Sequence, residues 1–315
     1  MLARRAVPHL LLHGVITITF ISSSHYTQSQ QCQMAHDTNA LKALQDRAAA
    51  GDADAQCGLG RQYEFALGVR RDNKQAVLWL QKAAEQGNII ATVELGVVFD
   101  RMQDFPQALI WYRKAAEQGN ARAEYNLGLA YGNGESAPKD LSEANAWFRK
   151  AADQGDALAQ LNLAVDYEHG IGVSQDYRQA ADWYRKAAEQ GLAEAKYGLG
   201  FLYLNGNGVP KDEIEAAKWM LKAAEQGETK AQFNLGASYA NGVGVNRNLS
   251  EGYFWIFLAK SRTTDSGLKT HAESTLEALN KVMSKTDIRG AQQRAQAWLN
   301  EHPRPLQAEP SGVPE

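Results

Sequence analysis

Cysteine is almost missing: Cys32 and Cys57 are the two in 315 residues. That scarcity excludes a small disulfide-built scaffold. "CQMAH" (Cys32 to His36) is half of a metal motif with no second half. The seven histidines include no H-E-x-x-H pair, so the sequence supplies no metal site. Proline is scarce as well, eight residues, several of them in the terminal segments, so little interrupts a helix. Neither sign of charge prevails: 33 Lys and Arg stand against 36 Asp and Glu, net −3. No basic field exists to draw in nucleic acid. No G-x-x-x-x-G-K-[ST] loop occurs and no strand precedes the glycines, which removes nucleotide binding, and no cofactor is expected. No nucleophile elbow is visible either.

Long apolar runs are also lacking, with one exception. Arg4 and Arg5 precede an apolar stretch from Leu10 to Ile21 and then small residues. That order predicts a signal peptide over 1–24, cut near Ser24, and a periplasmic or secreted protein. The stretch is short for a bilayer span, so membrane contact is expected only through an uncleaved signal segment. Residues 25–36 read as a flexible segment and 301–315, Pro-rich, as a disordered tail.

What is present is rhythm. "WYRKAAEQGNARAEYNLGLAYGNG" (Trp111 to Gly134) returns as "WYRKAAEQGLAEAKYGLGFLYLNG" (Trp183 to Gly206). Trp79, Trp111, Trp147, Trp183, Trp219 and Trp255 are separated by 32, 36, 36, 36 and 36 residues. Gly51, Gly87, Gly119, Gly155, Gly191 and Gly227 keep the same beat. A fixed period of this size means stacked supersecondary units.

Each unit reads as two helices. Counting from Gly191, Ala195, Leu199 and Tyr203 at +4, +8 and +12 make one stripe on a first helix. Gly200 at +9 recurs as Gly60, Gly96, Gly128 and Gly236 and predicts close helix approach. Turns "HGIGVSQD", "NGNGVPKD" and "NGVGVNRN" follow, their paired glycines suited to positive φ and their closing Asp or Asn to a helix N-cap. Ala216, Trp219, Met220 and Ala223 then form one face of a second helix, which "AAEQG" ends. The unit beginning at Gly87 is four residues short. Its turn, "DRMQDFPQ", lacks the glycine pair, and Pro106 marks the next helix start. Residues 37–51 read as a lone second helix, and 266–283 and 287–299 as amphipathic caps.

The pattern "W..KAAEQG.A.A...LG..Y..G.GV..D" over Asp37 to Lys260 resembles the Sel1-like repeat family, a relative of tetratricopeptide repeats. The resemblance implies an all-α fold, a right-handed α/α superhelical solenoid of about six helix pairs over 37–260, with irregular capping helices over 261–300. It further implies a non-enzymatic adaptor whose partners are proteins or peptides. Some disulfide-rich relatives are described as β-lactamases, but those carry a cysteine pair in every repeat. The alternative here is a cell-envelope hydrolase or ligand binder, β-lactamase-like or peptidoglycan-related.

By the same resemblance, positions +6 and +10 line the concave side. Tyr125, Leu161, Tyr197 and Phe233 stand at +6 and Leu129, Val165 and Phe201 at +10, with Asn126, Asn162 and Asn234 beside them at +7. This face is either a groove with aromatic anchors for a peptide or a surface that tight winding buries. The asparagines suit either an extended backbone or inter-repeat packing. Cys57 shares the +6 slot, which favours a packed free thiol over pairing with Cys32. Glu117, Asp153, Glu189 and Glu225 follow the repeat, whereas a catalytic carboxylate should break it.

Overall fold

Alanine-rich segments bounded by Asp or Asn at one end and glycine at the other have the sequence chemistry of short, sharply ended helices. The computed structural model describes residues 38–134 and 138–303. The expected signal peptide, Cys32 and the tail from 304 onward lie outside the described residues. Among those described there are fifteen helices and no strand, an all-α solenoid of helix pairs.

α1 (Thr38–Ala49) stands alone. The pairs are α2 (Ala53–Phe65) with α3 (Asn73–Glu85), α4 (Ile89–Arg101) with α5 (Phe105–Ala116), α6 (Ala121–Asn133) with α7 (Leu141–Asp153), α8 (Ala157–His169) with α9 (Tyr177–Glu189), α10 (Ala193–Asn205) with α11 (Glu213–Glu225), and α12 (Thr229–Asn241) with α13 (Leu249–Arg262). α14 (Ser266–Asn280) and α15 (Lys285–Glu301) close the chain. Two compact units divide it at 91/92. In the first, Leu44 and Ala48 of α1 bury against Ala55 and Leu59 of α2. In the second, one core runs through successive pairs, built from the +4 and +8 residues such as Ala159, Leu163, Ala195 and Leu199.

The boundaries are set by local chemistry. Asp212 Oδ1 accepts from the N–H groups of Ile214 and Glu215 at 3.0 and 2.9 Å. Asp72, Asp140 and Asp176 repeat that cap. Each such cap is worth about 1 kcal/mol. Past the second helices, Gly155, Gly191 and Gly227 take φ of 93°, 103° and 90°, where a side chain would be strained.

The +9 glycines earn their place by contact. A Cβ on Gly60 would sit 2.6 Å from Leu80 Cγ, and one on Gly128 would run into the Phe148 ring. Each +9 glycine therefore lets the second helix of its own pair approach its backbone. The second glycine of each turn works between pairs. A Cβ on Gly172, Gly208 or Gly244 would collide with the backbone of Leu141, Tyr177 or Glu213, at the start of the preceding pair's second helix.

The recurring tryptophans sit half-buried or buried on the second helices, and all but Trp255 have a lysine one turn on. Lys82, Lys114, Lys150, Lys186 and Lys222 lie over Trp79, Trp111, Trp147, Trp183 and Trp219 at 3.6–5.0 Å from the ring centroids. Such cation–π contacts at partly exposed sites contribute about 0.5–1 kcal/mol each. The spacing W-x-x-K was present in the sequence and would have shown this. At the end of the array α15 covers α13: Arg294 pairs with Glu251 at 2.7 Å and Gln292 donates to Tyr253 Oη at 2.9 Å.

One sequence expectation is overturned. Cys57 is disulfide-bonded, not a packed free thiol. The apolar repeat slot misled, because a paired sulfur is buried there as completely as a thiol would be.

Candidate partner-binding face

The +4 alanines and +8 leucines of the first helices are buried in the core, and +6 and +10 lie on another side of each helix. The structure divides these positions. Tyr125, Leu161 and Phe233 are buried, with 7%, 7% and 9% of their surface exposed. Tyr125 and Leu161 belong to the core, and Leu129 and Val165 pack half-buried against it. Tyr197 and Phe201 are half-buried neighbours, ring centroids 6.1 Å apart. Leu192 and Leu204, half-buried, belong to the same pair.

The asparagines are half-buried, and two of them reach back one repeat. Asn234 Nδ2 donates to Tyr197 Oη at 3.2 Å. Asn162 bonds Tyr125 in the same way. Burial pushes the Tyr125 phenol up to about 12, with the negative charge of Asp156 adding to the rise and Asn162 opposing it. Burial, with Glu228 nearby, raises Tyr197 similarly. Both tyrosines therefore remain neutral across the physiological range. Where Leu161 replaces tyrosine at +6, the next +7 residue is Gly198, and the Tyr184 ring occupies the space its side chain would take. Tyr184 Oη donates to Glu168 Oε2 at 2.6 Å there. One repeat before Asn126 the +6 residue is Val93, which has no hydroxyl to offer.

The arrangement can hold a chain segment but brings no nucleophile and base together at these positions. A separate depression of about 400 Å³ is lined by Arg149, Asp153, Asp182, Trp183, Lys186 and Glu189. Its cations are spent: Arg149 donates to Tyr167 Oη at 2.6 Å and, with Lys186, lies against the Trp183 ring. Among the described residues no group of three or more His, Cys, Asp or Glu is placed to hold a metal ion. No described helix is long and apolar enough to cross a membrane.

Helix pairs repeated on one design define an α-helical repeat protein. The Sel1 repeat model matches residues 53–88, 95–120, 121–156, 157–192, 193–228 and 229–262, and the chain belongs to the Sel1 repeat family. Two solved structures agree. The c5321 protective antigen of uropathogenic Escherichia coli, which displays an SLR fold, is 32% identical with a TM-score of 0.72 over 83% of this chain and 55% of that one. A Sel1 repeat protein from Oxalobacter formigenes is 31% identical with a TM-score of 0.66, covering 79% of this chain and 75% of that one. This chain thus spans little more than half the length of the c5321 protein. No curated protein matches.

Proposed function

We propose that this chain is an exported, non-enzymatic adaptor that binds protein segments along the +6/+10 face, centred on residues 191–240. The supporting observation is the half-buried Tyr197–Phe201 pair beside Asn234: an aromatic platform with an amide at its edge, on a helix whose other side is fully packed. Aromatic anchors flanked by an amide suit an extended or helical peptide. The disulfide at Cys57 supports an oxidising compartment, as does the leader-like 1–24. The repeat array of 37–260 would then be the binding module and 261–300 its cap.

The test is capture of partners from a lysate of the native host by wild type and by Tyr197→Ala with Phe201→Ala. Capture should fall at least about tenfold, the loss of roughly 1.4 kcal/mol or more that an aromatic anchor supplies. The helical circular-dichroism signal should persist. Undiminished capture would remove this face from consideration. Turnover of a chromogenic β-lactam or digestion of purified sacculi by wild type would replace the adaptor reading with the hydrolase one.

A further inference from the structure

The disulfide at Cys57 bears on the chain that precedes α1. Cys57 is oxidised in a structure of a single chain, and the sequence offers one other cysteine, Cys32. The partner sulfur thereby falls to a residue outside the described ones, six steps of chain before α1 begins at Thr38. The described helices then decide where the connecting residues, 33–37, can run.

α1 and α2 lie antiparallel. At one end Gln56 Nε2 donates to Ala48 O at 3.1 Å. At the other, a Cβ on Gly68 would meet Leu41 Cδ2 at 3.6 Å. α1 therefore begins beside the far end of α2, whereas Cys57 sits near the start of α2. From Cys57 to the last residue of α2, Phe65, the rise along the axis is about 12 Å. Six steps of extended chain from Cys32 to Thr38 reach about 20 Å, and a disulfide adds about 5.5 Å between Cα atoms. Crossing a helix width of about 10 Å takes up much of the remainder. The tether reaches, with too little slack to travel round the outside of the pair.

The side of α2 is fixed as well. α1 buries Leu44 and Ala48 against Ala55 and Leu59, the +4 and +8 line of α2. Cys57 at +6 stands on the opposite line, followed at i+4 and i+7 by Arg61 and Glu64. That line is covered: Cys57 is 0% exposed, Glu64 2%, and Arg61 is half-buried. We propose that Cys32 pairs with Cys57 and that residues 33–37 form a strap along the Cys57–Arg61–Glu64 line, occupying the first pair's share of the +6/+10 face. The occupant of that stretch is a segment of the chain itself. Forming the bond takes two protons and two electrons from the two thiols. A disulfide-bearing oxidant, such as glutathione disulfide, accepts them by thiol–disulfide exchange and leaves as two thiols. The closed loop contains all of α1, so the lone helix at the open end of the array gains a covalent brace beside its apolar contacts. The strap does not rest on the adaptor reading, which concerns later pairs.

The experiment uses the full chain equilibrated in a glutathione disulfide buffer, alkylated without reduction and digested. Mass spectrometry should find the Cys32 peptide joined to the Cys57 peptide and neither cysteine alkylated. An alkylated Cys57, or a Cys57–Cys57 link seen as a dimer on a non-reducing gel, would overturn the pairing. For the path, Met34 is replaced by benzoylphenylalanine and the oxidised protein is irradiated. Cross-links should fall on residues 57–65 of the same chain. Their yield should drop at least about fivefold when Cys32→Ser is added, because the tether no longer holds the probe at a high effective concentration. Cross-links confined to α3 or to a second copy, or an equal yield with and without Cys32, would overturn the strap. The same probe at His36 serves if the Met34 replacement fails to fold.

Discussion

Two repeats of the same chain solve the same turn in opposite ways. In the unit beginning at Gly191 the turn is long and is held from outside. Gly206 and Gly208 take φ of 72° and 70°, and Gly208 presses its bare Cα onto the Tyr177 backbone of the pair before. In the unit beginning at Gly87 the turn is four residues shorter and is held from inside. Gln103 takes φ of 60° without being glycine, Asp104 caps α5 through a single bond to Gln107 N at 3.3 Å, and Pro106 presets the first turn of the helix. The long turn draws its shape from a tertiary seat that only glycine fits. The short turn draws it from local propensity and tolerates some strain.

The sharpest break of that comparison is Gly208→Ala. Left-handed φ and a backbone collision act together, and the loss should be about 3 kcal/mol, read as a lowered urea midpoint by circular dichroism. Caps come next. Asp212→Ala removes two cap bonds and should cost about 1 kcal/mol, whereas Asp104→Ala removes one long bond and should cost about half as much in the same measurement. Equal losses would mean the two turns are held alike. The smallest effect has the opposite sign. Gln103→Gly relieves the positive φ of the short turn and should stabilise by about 0.5 kcal/mol, seen as a raised melting temperature.

Much of this was legible in the residues because the repeat averages out accident. Stripes at +4 and +8, capping aspartates, the glycine after each second helix and Pro106 at the start of α5 all follow from spacing and local chemistry. Less legible was what departs from the pattern. Nothing in Asn145 alone says that its amide ties its own helix to the Ile171 carbonyl of the following turn, since that depends on how one pair seats on the next. The +6 face shows the same limit. Tyrosine at +6 followed one repeat later by asparagine at +7 is a visible correlation, yet only packing reveals that Tyr125 is covered and Tyr197 half-open. Cys57 failed for a third reason: a slot that accepts valine, tyrosine or leucine says nothing about oxidation state.

The backward reach of the second turn glycines gives the molecule a polarity. The pairs α6/α7, α8/α9 and α10/α11 are each finished by their successor, because the start of the second helix is roofed by a turn that has not yet emerged when the pair itself leaves the ribosome. Trimming the array from its carboxyl end unroofs whatever pair then becomes last, while trimming from the amino end leaves every surviving roof in place. Folding of this scaffold should therefore lag synthesis by one unit, and α15, packed over α13, is what releases the final pair from waiting.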